Sequence, residues 1–213
     1  MKGSDEQMQH DYMAYTDNYA RTKDVPSILV QGDTALCPEP FFSIVIPTFR
    51  RVDFLRIALD SALDQQDSPF SYEVVVVDND PPTGESSPTQ DMLAQYQDTN
   101  LLYYRNKENL GIAGNWNRCC TLARGQWVAL LHDDDILLPD YLKKIAPLLG
   151  RKQDIGGIMV LPFELKEGSN LQEASEKPRS ALSQMYDKLS SGRLMRLKRM
   201  DSYMLIANPY GAP

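Results

Sequence analysis

Short apolar runs that alternate with helical patterns constrain the fold of this chain more than any other feature of its sequence. Residues 72–77 read Tyr-Glu-Val-Val-Val-Val, and residues 42–46 and 126–131 are similar, mostly apolar runs. Between the first two runs, the apolar residues of 52–65 recur every three or four positions, which is the spacing of one helix face. Strands that are apolar throughout are typical of a parallel sheet covered on both sides. The sequence therefore predicts an α/β fold with a mostly parallel sheet and helices on both faces.

The same criteria predict the remaining elements. We expect further strands at 101–104 and 155–160, and helices at 91–97, 112–124 and 141–149. The proline-, glycine- and serine-rich segment 81–88 is predicted to be a loop. Residues 1–40 form a polar leader, in which Tyr12, Tyr15 and Tyr19 are spaced for a short packed helix; a disordered leader is the alternative.

Three consecutive acids, Asp133, Asp134 and Asp135, follow the strand predicted at 126–131. Carboxylate oxygens are the ligands that hard divalent cations prefer, and a bound cation would relieve the repulsion among the three charges. The alternative is a solvated helix cap, since Asp favours that position and Pro139 suits the first turn of a helix. Both interpretations stay open at this point.

The ends of the predicted strands carry complementary chemistry. In parallel sheets these ends meet at one edge, so residues 47–49, Asp78 and the acid run could line one crevice. Phe49 offers a flat face to a base, Asp78 can accept a hydrogen bond from a base or ribose, and the acids can hold a metal on a diphosphate. Singly, Phe49 could be a core residue and Asp78 a turn residue. Together they indicate a nucleoside-diphosphate site. The sequence has neither the glycine-rich motif of P-loop proteins nor the Gly-x-Gly-x-x-Gly motif of dinucleotide-binding proteins, so neither class is supported.

Composition excludes some partners and suggests others. The 213 residues carry a formal net charge of −7, which argues against nucleic-acid binding because that usually needs a basic face. The basic cluster at 193–199 is either a solvated helix face or a peripheral contact with an anionic membrane or acidic partner. Because the sequence has no signal-peptide pattern, we expect a cytoplasmic location, with that cluster as a candidate contact on the inner face of the membrane.

Five motifs together resemble family 2 glycosyltransferases of the GT-A fold, over about residues 41–150. The motifs are Ser43-Ile-Val-Ile-Pro-Thr-Phe49, Val74-Val-Val-Val-Asp78-Asn79, Asn109-Leu-Gly111-Ile-Ala-Gly-Asn115-Trp-Asn117, Ala123-Arg-Gly125-Gln-Trp-Val and Leu131-His-Asp-Asp-Asp135-Ile-Leu-Leu-Pro139-Asp. They occur in the family's order and spacing. The resemblance implies a GT-A (Rossmann-like) fold and transfer of a sugar, with inversion, from a nucleotide diphosphate sugar, most often UDP-linked, to a saccharide or lipid-linked acceptor.

The resemblance also implies roles for individual residues. Mn²⁺ or Mg²⁺ would bind the diphosphate through Asp134, with Asp133 and Asp135 as further candidate ligands and Asp133 facing ribose or a bridging water. Phe49 would lie near the base and Asp78 would bond it. The expected nucleotide-binding residues are Pro47, Thr48, Phe49, Asp78, Asn109, Gly111, Asn117 and Asp133.

Three residues depart from the family pattern. Arg50 stands where the family usually has Asn, Trp116 where many members have Arg, and His132 where an Asp is frequent. His132 lies beside the acids and could touch a ligand, although a hydrogen-bonded structural histidine is the more conservative interpretation.

The resemblance further implies a domain plan: a donor-binding GT-A domain at 41–165, and an incomplete acceptor-side region at 166–213. The family's catalytic base comes from the acceptor half. Glu164, Asp187 and Asp201 are available acids, but none lies in a recognisable acceptor motif, so no base is assigned. A competing hypothesis is a truncated donor-binding fragment that binds nucleotide and metal without turnover. A nucleotidyltransferase is a third, less favoured hypothesis. That class would have a glycine-rich, basic phosphate-binding loop after the first strand, and the segment there has basic residues but no glycine.

Overall fold

The computed structural model of the chain describes residues 18–84, 86–97, 99–149, 157–160 and 204–207. The strands within these residues are β1 (Ser27–Gln31), β2 (Phe42–Thr48), β3 (Tyr72–Asp78), β4 (Leu101–Asn106), β5 (Trp127–Leu130), β6 (Gly157–Val160) and β7 (Met204–Ala207). The helices are α1 (Asn18–Thr22), α2 (Val52–Leu63), α3 (Pro88–Leu93), α4 (Gly111–Leu122) and α5 (Tyr141–Leu149), and a single 3₁₀ turn spans Thr34–Leu36.

The strands form one sheet in the order β1-β4-β3-β2-β5-β7-β6. The four central strands β4, β3, β2 and β5 run parallel, and β1, β7 and β6 join the two sides in antiparallel fashion. Helices connect the parallel strands, as right-handed crossovers require. The predicted α/β architecture with a mostly parallel sheet and helices on both faces is confirmed.

Each face of the sheet packs against its own helices because the central strands are apolar on both sides. On one face, Ile44 and Val74 pack with α2, α3 and α5; α2 contributes Leu55, Ala58, Leu59 and Ala62 at helical spacing. On the other face, Val45 and Val75 pack with Cys119 of α4. Burying apolar side chains contributes roughly 1.5–3 kcal/mol each, so both layers are needed to stabilise the sheet.

Several predicted boundaries differ from the structure. Helix α3 begins at Pro88 rather than at 91, because the Ser87 hydroxyl accepts a hydrogen bond from the Gln90 backbone N–H and caps the helix, with Pro88 in the first turn. Helix α3 also ends at Leu93 rather than at 97, helix α4 ends at Leu122 rather than at 124, and helix α2 ends at Leu63 rather than at 65. The other predicted elements agree with the structure within a few residues at each end.

The segment before residue 41 contributes to the sheet. Strand β1 pairs with β4, with Ser27 opposite Asn106, and the Arg118 guanidinium of α4 donates to the Thr22 carbonyl of α1 at 2.8 Å. Tyr19 lies on α1, whereas Tyr12 and Tyr15 lie outside the described residues. The proposed domain boundaries stay a prediction. None of the described helices has the length and apolar character to cross a bilayer.

An ion pair between buried Glu73 and partly exposed Arg124 lies at the amino-terminal edge of the parallel strands. Glu73 of β3 is fully buried, and its carboxylate accepts hydrogen bonds from the Ser43 hydroxyl at 2.6 Å and from the Arg124 backbone N–H at 2.9 Å. The Arg124 guanidinium donates to the other carboxylate oxygen. Gly125 lies so close to β2 that an added Cβ would meet the Ser43 backbone nitrogen at 2.6 Å. The segment Ala123-Arg124-Gly125 therefore anchors the start of β5 to the sheet.

Candidate functional site

The carboxyl ends of β2 and β3 and the turn after β5 meet at the opposite edge. Thr48, the last residue of β2, lies in register with Asp78, the last of β3. The Asn79 backbone N–H donates to the Thr48 carbonyl at 2.9 Å, and the Thr48 hydroxyl donates to the Asp133 carboxylate at 2.9 Å. The structure thus brings together three of the residues that the sequence singled out, Thr48, Asp78 and Asp133.

Asp78 is a buried carboxylate held by two donors. One oxygen accepts from the Asp80 backbone N–H at 2.9 Å, and the other accepts from the Tyr103 hydroxyl at 3.0 Å. Burial raises the pKa of the Asp78 carboxyl, and these hydrogen bonds offset part of the rise. Burial also raises the pKa of the Tyr103 hydroxyl, so Tyr103 remains a proton donor to Asp78. The carboxylate is fixed in orientation at the end of the strand.

Asn79 fastens the loop before α4 to the end of β3. Its side-chain oxygen accepts from the Leu110 backbone N–H at 2.9 Å and from the Asn106 amide at 3.1 Å. Its amide nitrogen donates to the Asn109 side chain at 3.0 Å and lies 3.4 Å from the Gly111 carbonyl. Gly111 has a φ of +70°, a conformation that glycine adopts without strain. Asn109 and Gly111 are therefore held at the same edge as Asp78.

The three acids after β5 point in different directions. Asp133 is buried, and its two oxygens accept hydrogen bonds from Thr48 and from Arg51. Asp134 and Asp135 are exposed. The Asp135 backbone N–H donates to the His132 carbonyl at 3.1 Å, which closes a turn and folds Asp135 back beside His132. The helix-cap interpretation is wrong, because α5 begins only at Tyr141 and the Asp133 carboxylate bonds side chains instead of helix amides.

Arg51 bridges two of the acids. Its guanidinium donates to Asp133 and to Asp134 at 3.0 Å each and lies over the Phe54 ring. Burial raises the pKa of the Asp133 carboxyl, while the Thr48 hydrogen bond and the Arg51 charge counteract the rise. Partial burial also raises the pKa of Asp135. The chain thus supplies one positive charge of its own to the acid cluster.

Arg50 and Phe49 form the turn that follows β2. Arg50 has a φ of 56°, unusual for a residue other than glycine, and its guanidinium pairs with Asp80 at 2.9 Å. The same guanidinium lies 5.0 Å from the centre of the Phe49 ring, which is 41% exposed. Phe49 is therefore not a core residue, and its ring is accessible at the edge of the site.

The turn after β5 offers a partial set of metal ligands. Ligand atoms of His132, Asp134 and Asp135 all lie within 4.8 Å of one another. Carboxylate oxygens suit Mn²⁺ and Mg²⁺, and an imidazole nitrogen adds a ligand that transition metals accept. The buried Nε2 atom of His132 has no hydrogen-bond partner among the described residues. The donor set fits a divalent cation.

Comparison with known proteins identifies the family. The sequence profile of Glycosyl transferase family 2 matches residues 43–197. The chain belongs to this family. An uncharacterized glycosyltransferase of Methanocaldococcus jannaschii is 26% identical over 136 residues, which are 62% of this chain and 45% of that protein. The uncharacterized glycosyltransferase YfnE of Bacillus subtilis is 38% identical over 96 residues, which are 45% of this chain and 23% of that protein.

Two solved structures are also similar. S. aureus TarS 1-349 in complex with UDP has 25% identity and a TM-score of 0.44, covering 51% of this chain and 31% of that one. The mannosyltransferase PcManGT from Pyrobaculum calidifontis, in complex with GDP-Man and Mn2+, has 20% identity and a TM-score of 0.47, covering 65% of this chain and 39% of that one. The chain spans less than half the length of the curated relatives that it matches.

The remaining predicted nucleotide-binding residues of this family 2 chain differ in how deeply they are buried. Pro47 is buried within β2, and Asn117 is half-buried on α4. The predicted hydrogen bond of a structural His132 is absent among the described residues; its ring instead packs on Trp116, with ring centroids 4.8 Å apart. Two of the family departures, Trp116 and His132, are therefore in contact with each other.

Sequence reasoning missed three residues of this edge: Arg51, Asn79 and Tyr103. Arg50 and Arg51 follow shortly after β2 and were a usable signal, because a basic residue at the end of one strand can pair with acids at the end of a neighbouring strand. No comparable local signal exists for Tyr103, because its partner Asp78 is brought close only by the pairing of β3 with β4.

Proposed function

We propose that this chain binds a nucleotide diphosphate sugar, UDP-linked, at the edge formed by β2, β3 and the turn after β5. The observation that carries the proposal is that two buried acids lie beside Thr48: Asp78 is opposite Thr48 in the β2–β3 ladder, and Asp133 accepts a hydrogen bond from the Thr48 hydroxyl. The exposed acids Asp134 and Asp135 follow directly. Buried carboxylates with fixed orientation suit the polar groups of a nucleoside, and exposed carboxylates suit a cation on its diphosphate. Membership of Glycosyl transferase family 2 supports sugar transfer as the reaction.

Each residue then has a proposed role. Phe49 stacks on the base, Asp78 accepts a hydrogen bond from it, and Asp133 faces the ribose. Asp134 and Asp135 hold Mn²⁺ or Mg²⁺. The other contacts with the nucleotide come from Pro47, Thr48, Asn109, Gly111 and Asn117.

The chemistry follows from these roles. A divalent cation, when bound, stabilises the negative charge that develops on the departing diphosphate. Arg51 keeps the acid cluster partly neutralised, because its guanidinium bonds both Asp133 and Asp134. Transfer with inversion needs a carboxylate within hydrogen-bond reach of the acceptor hydroxyl. Glu164, Asp187 and Asp201 lie outside the described residues, and we assign no base.

The proposed acceptor is a saccharide or a lipid-linked acceptor, and residues 166–213, which follow the donor domain at 41–165 in the sequence, are the proposed incomplete acceptor-side region. The basic cluster at 193–199, which lies outside the described residues, stays a predicted contact with the inner face of the membrane. The cytoplasmic location is likewise a prediction.

A second candidate function is donor binding without turnover. Among the described residues, the acids that the site brings together, Asp78 and Asp133 to Asp135, all belong to the proposed donor side. In that case nucleotide and metal would bind, but sugar would not be transferred.

Release of UDP or GDP from a panel of nucleotide sugars, with Mn²⁺, with Mg²⁺ and with a chelator, tests the proposal. Asp134→Ala should lose metal-dependent release, whereas Asp91→Ala, which removes an exposed acid on α3, should keep it. Metal-dependent binding without release would favour the donor-binding fragment. Absence of binding to every nucleotide would contradict both candidates.

A further inference from the structure

The side chains of the turn after β5 fall into two groups, one buried and one facing outward. Asp133 is buried, and Thr48 and Arg51 bond one of its oxygens each. A carboxylate that already bonds a buried hydroxyl and a guanidinium has little freedom to turn toward a surface cation. Asp133 is therefore poorly placed as a direct ligand.

The outward group contains a nitrogen atom in addition to two carboxylates. The turn hydrogen bond between the Asp135 N–H and the His132 carbonyl places both side chains on one side, with Nδ1 of His132 3.9 Å from Oδ2 of Asp135. Asp134 completes the group within 4.8 Å. Neighbouring ligands on a cation with bonds of about 2.1 Å stand about 3 Å apart, so small side-chain rotations would bring the three atoms onto one ion.

The His132 ring lacks the contacts of a structural histidine. A buried imidazole nitrogen is normally hydrogen-bonded, yet Nε2 of His132 is buried without a partner among the described residues. The Trp116 ring, tilted by 37° at a centroid distance of 4.8 Å, orients the imidazole beside the acids without bonding either nitrogen. Packing thus holds the ring, and Nδ1, which lies 3.9 Å from the Asp135 carboxylate, is the nitrogen placed to coordinate, because Nε2 is buried.

We infer that His132 is a direct nitrogen ligand of the divalent cation, together with Asp134 and Asp135, and that Asp133 is not a ligand. This inference rests on the proposed metal-dependent donor site. A nitrogen ligand is better suited to Mn²⁺ than to Mg²⁺, which prefers oxygen, so the site should favour Mn²⁺. Trp116 acts as a positioning residue for the imidazole.

Pulsed electron paramagnetic resonance of Mn²⁺ bound to the chain with UDP tests the inference, because a coordinated imidazole gives a ¹⁴N modulation. The chain has two histidines, His10 and His132, which makes the assignment simple. We expect the modulation in the wild type and in His10→Ala, and its loss in His132→Phe, which keeps an aromatic ring against Trp116. Loss of a ligand should also weaken Mn²⁺ binding by about tenfold or more and reduce the preference over Mg²⁺.

The other results separate this inference from the proposed function. Mn²⁺ binding that depends on Asp134 but shows no imidazole modulation, or a modulation that survives in His132→Phe, would overturn the role of His132 and leave the donor site standing. Failure of the wild type to bind Mn²⁺ in the presence of UDP would overturn both. Circular dichroism of each variant checks that the fold is retained.

Discussion

Replacing Asn79 with alanine removes the amide that fastens the 109–111 loop to the end of β3. Three hydrogen bonds of 2.9 to 3.1 Å are lost, to Leu110, Asn109 and Asn106, and the buried Leu110 N–H loses its acceptor. At a net of about 1 kcal/mol per bond, we expect the free energy of unfolding to fall by about 2–4 kcal/mol. That loss corresponds to a drop in Tm of about 4–16 °C for a chain of this size.

The same substitution should weaken nucleotide binding, because Asn109 and Gly111 are proposed donor contacts. We expect UDP affinity to fall about tenfold, which is about 1.4 kcal/mol. The assays are chemical denaturation, and calorimetric titration of UDP at a temperature where the variant is folded.

Glu73→Gln is the matched control. It breaks the ion pair of the buried carboxylate with Arg124 at the opposite edge of the sheet and should cost about 3 kcal/mol or more of stability. Its UDP affinity should equal that of the wild type. If Asn79→Ala loses stability but binds UDP as well as Glu73→Gln does, the reasoning that the loop contacts the donor is refuted. Unchanged stability in Asn79→Ala would refute the energetic account of the network.

Three further substitutions test other parts of the account. Gly125→Ala should lower the free energy of unfolding by about 1–3 kcal/mol, because the added Cβ would meet the Ser43 backbone; an unchanged denaturation midpoint would argue against this. Asp134→Ala should abolish Mn²⁺-dependent nucleotide binding and change stability by less than about 1 kcal/mol, since its pair with Arg51 is exposed; retained Mn²⁺-dependent affinity would remove Asp134 from the metal site. Burial raises the pKa of Asp78, so its protonated form favours the native state; that contribution is present below about pH 4 and is lost as the pH rises through the folded pKa. Asp78→Asn should therefore lose more stability relative to wild type at pH 4 than at pH 7, and equal losses at the two pH values would count against the shift.

The central strands were predictable because burial on both faces leaves a strong signal in the sequence. Strands β2, β3 and β5 are mostly apolar and almost wholly buried, and the helices between them keep a clear apolar face. Strand β1 was missed because its apolar run, Ile28 to Val30, is only three residues long and lies in an otherwise polar segment. Strand β7 was missed because its four residues pair with β5, nearly eighty positions earlier in the chain.

The candidate site was predictable in its acids but not in their arrangement. The spacing of strand ends placed Asp78 and Asp133 at one edge, since parallel strands end together. Which acid turns inward depends on Thr48 and Arg51, and these contacts form only when β2 and β5 lie side by side. The packing of His132 on Trp116 depends likewise on α4 lying across the end of the sheet.

Calorimetric titration of UDP into the chain, with Mn²⁺ and then with a chelator, tests the central claim most directly. The account predicts binding of one UDP per chain that requires Mn²⁺ and disappears in Asp134→Ala. GDP titrated in the same way distinguishes the base preference. If neither nucleotide binds in the presence of Mn²⁺, the carboxylates at 133–135 are a surface turn neutralised by Arg51, and the donor-site account is wrong.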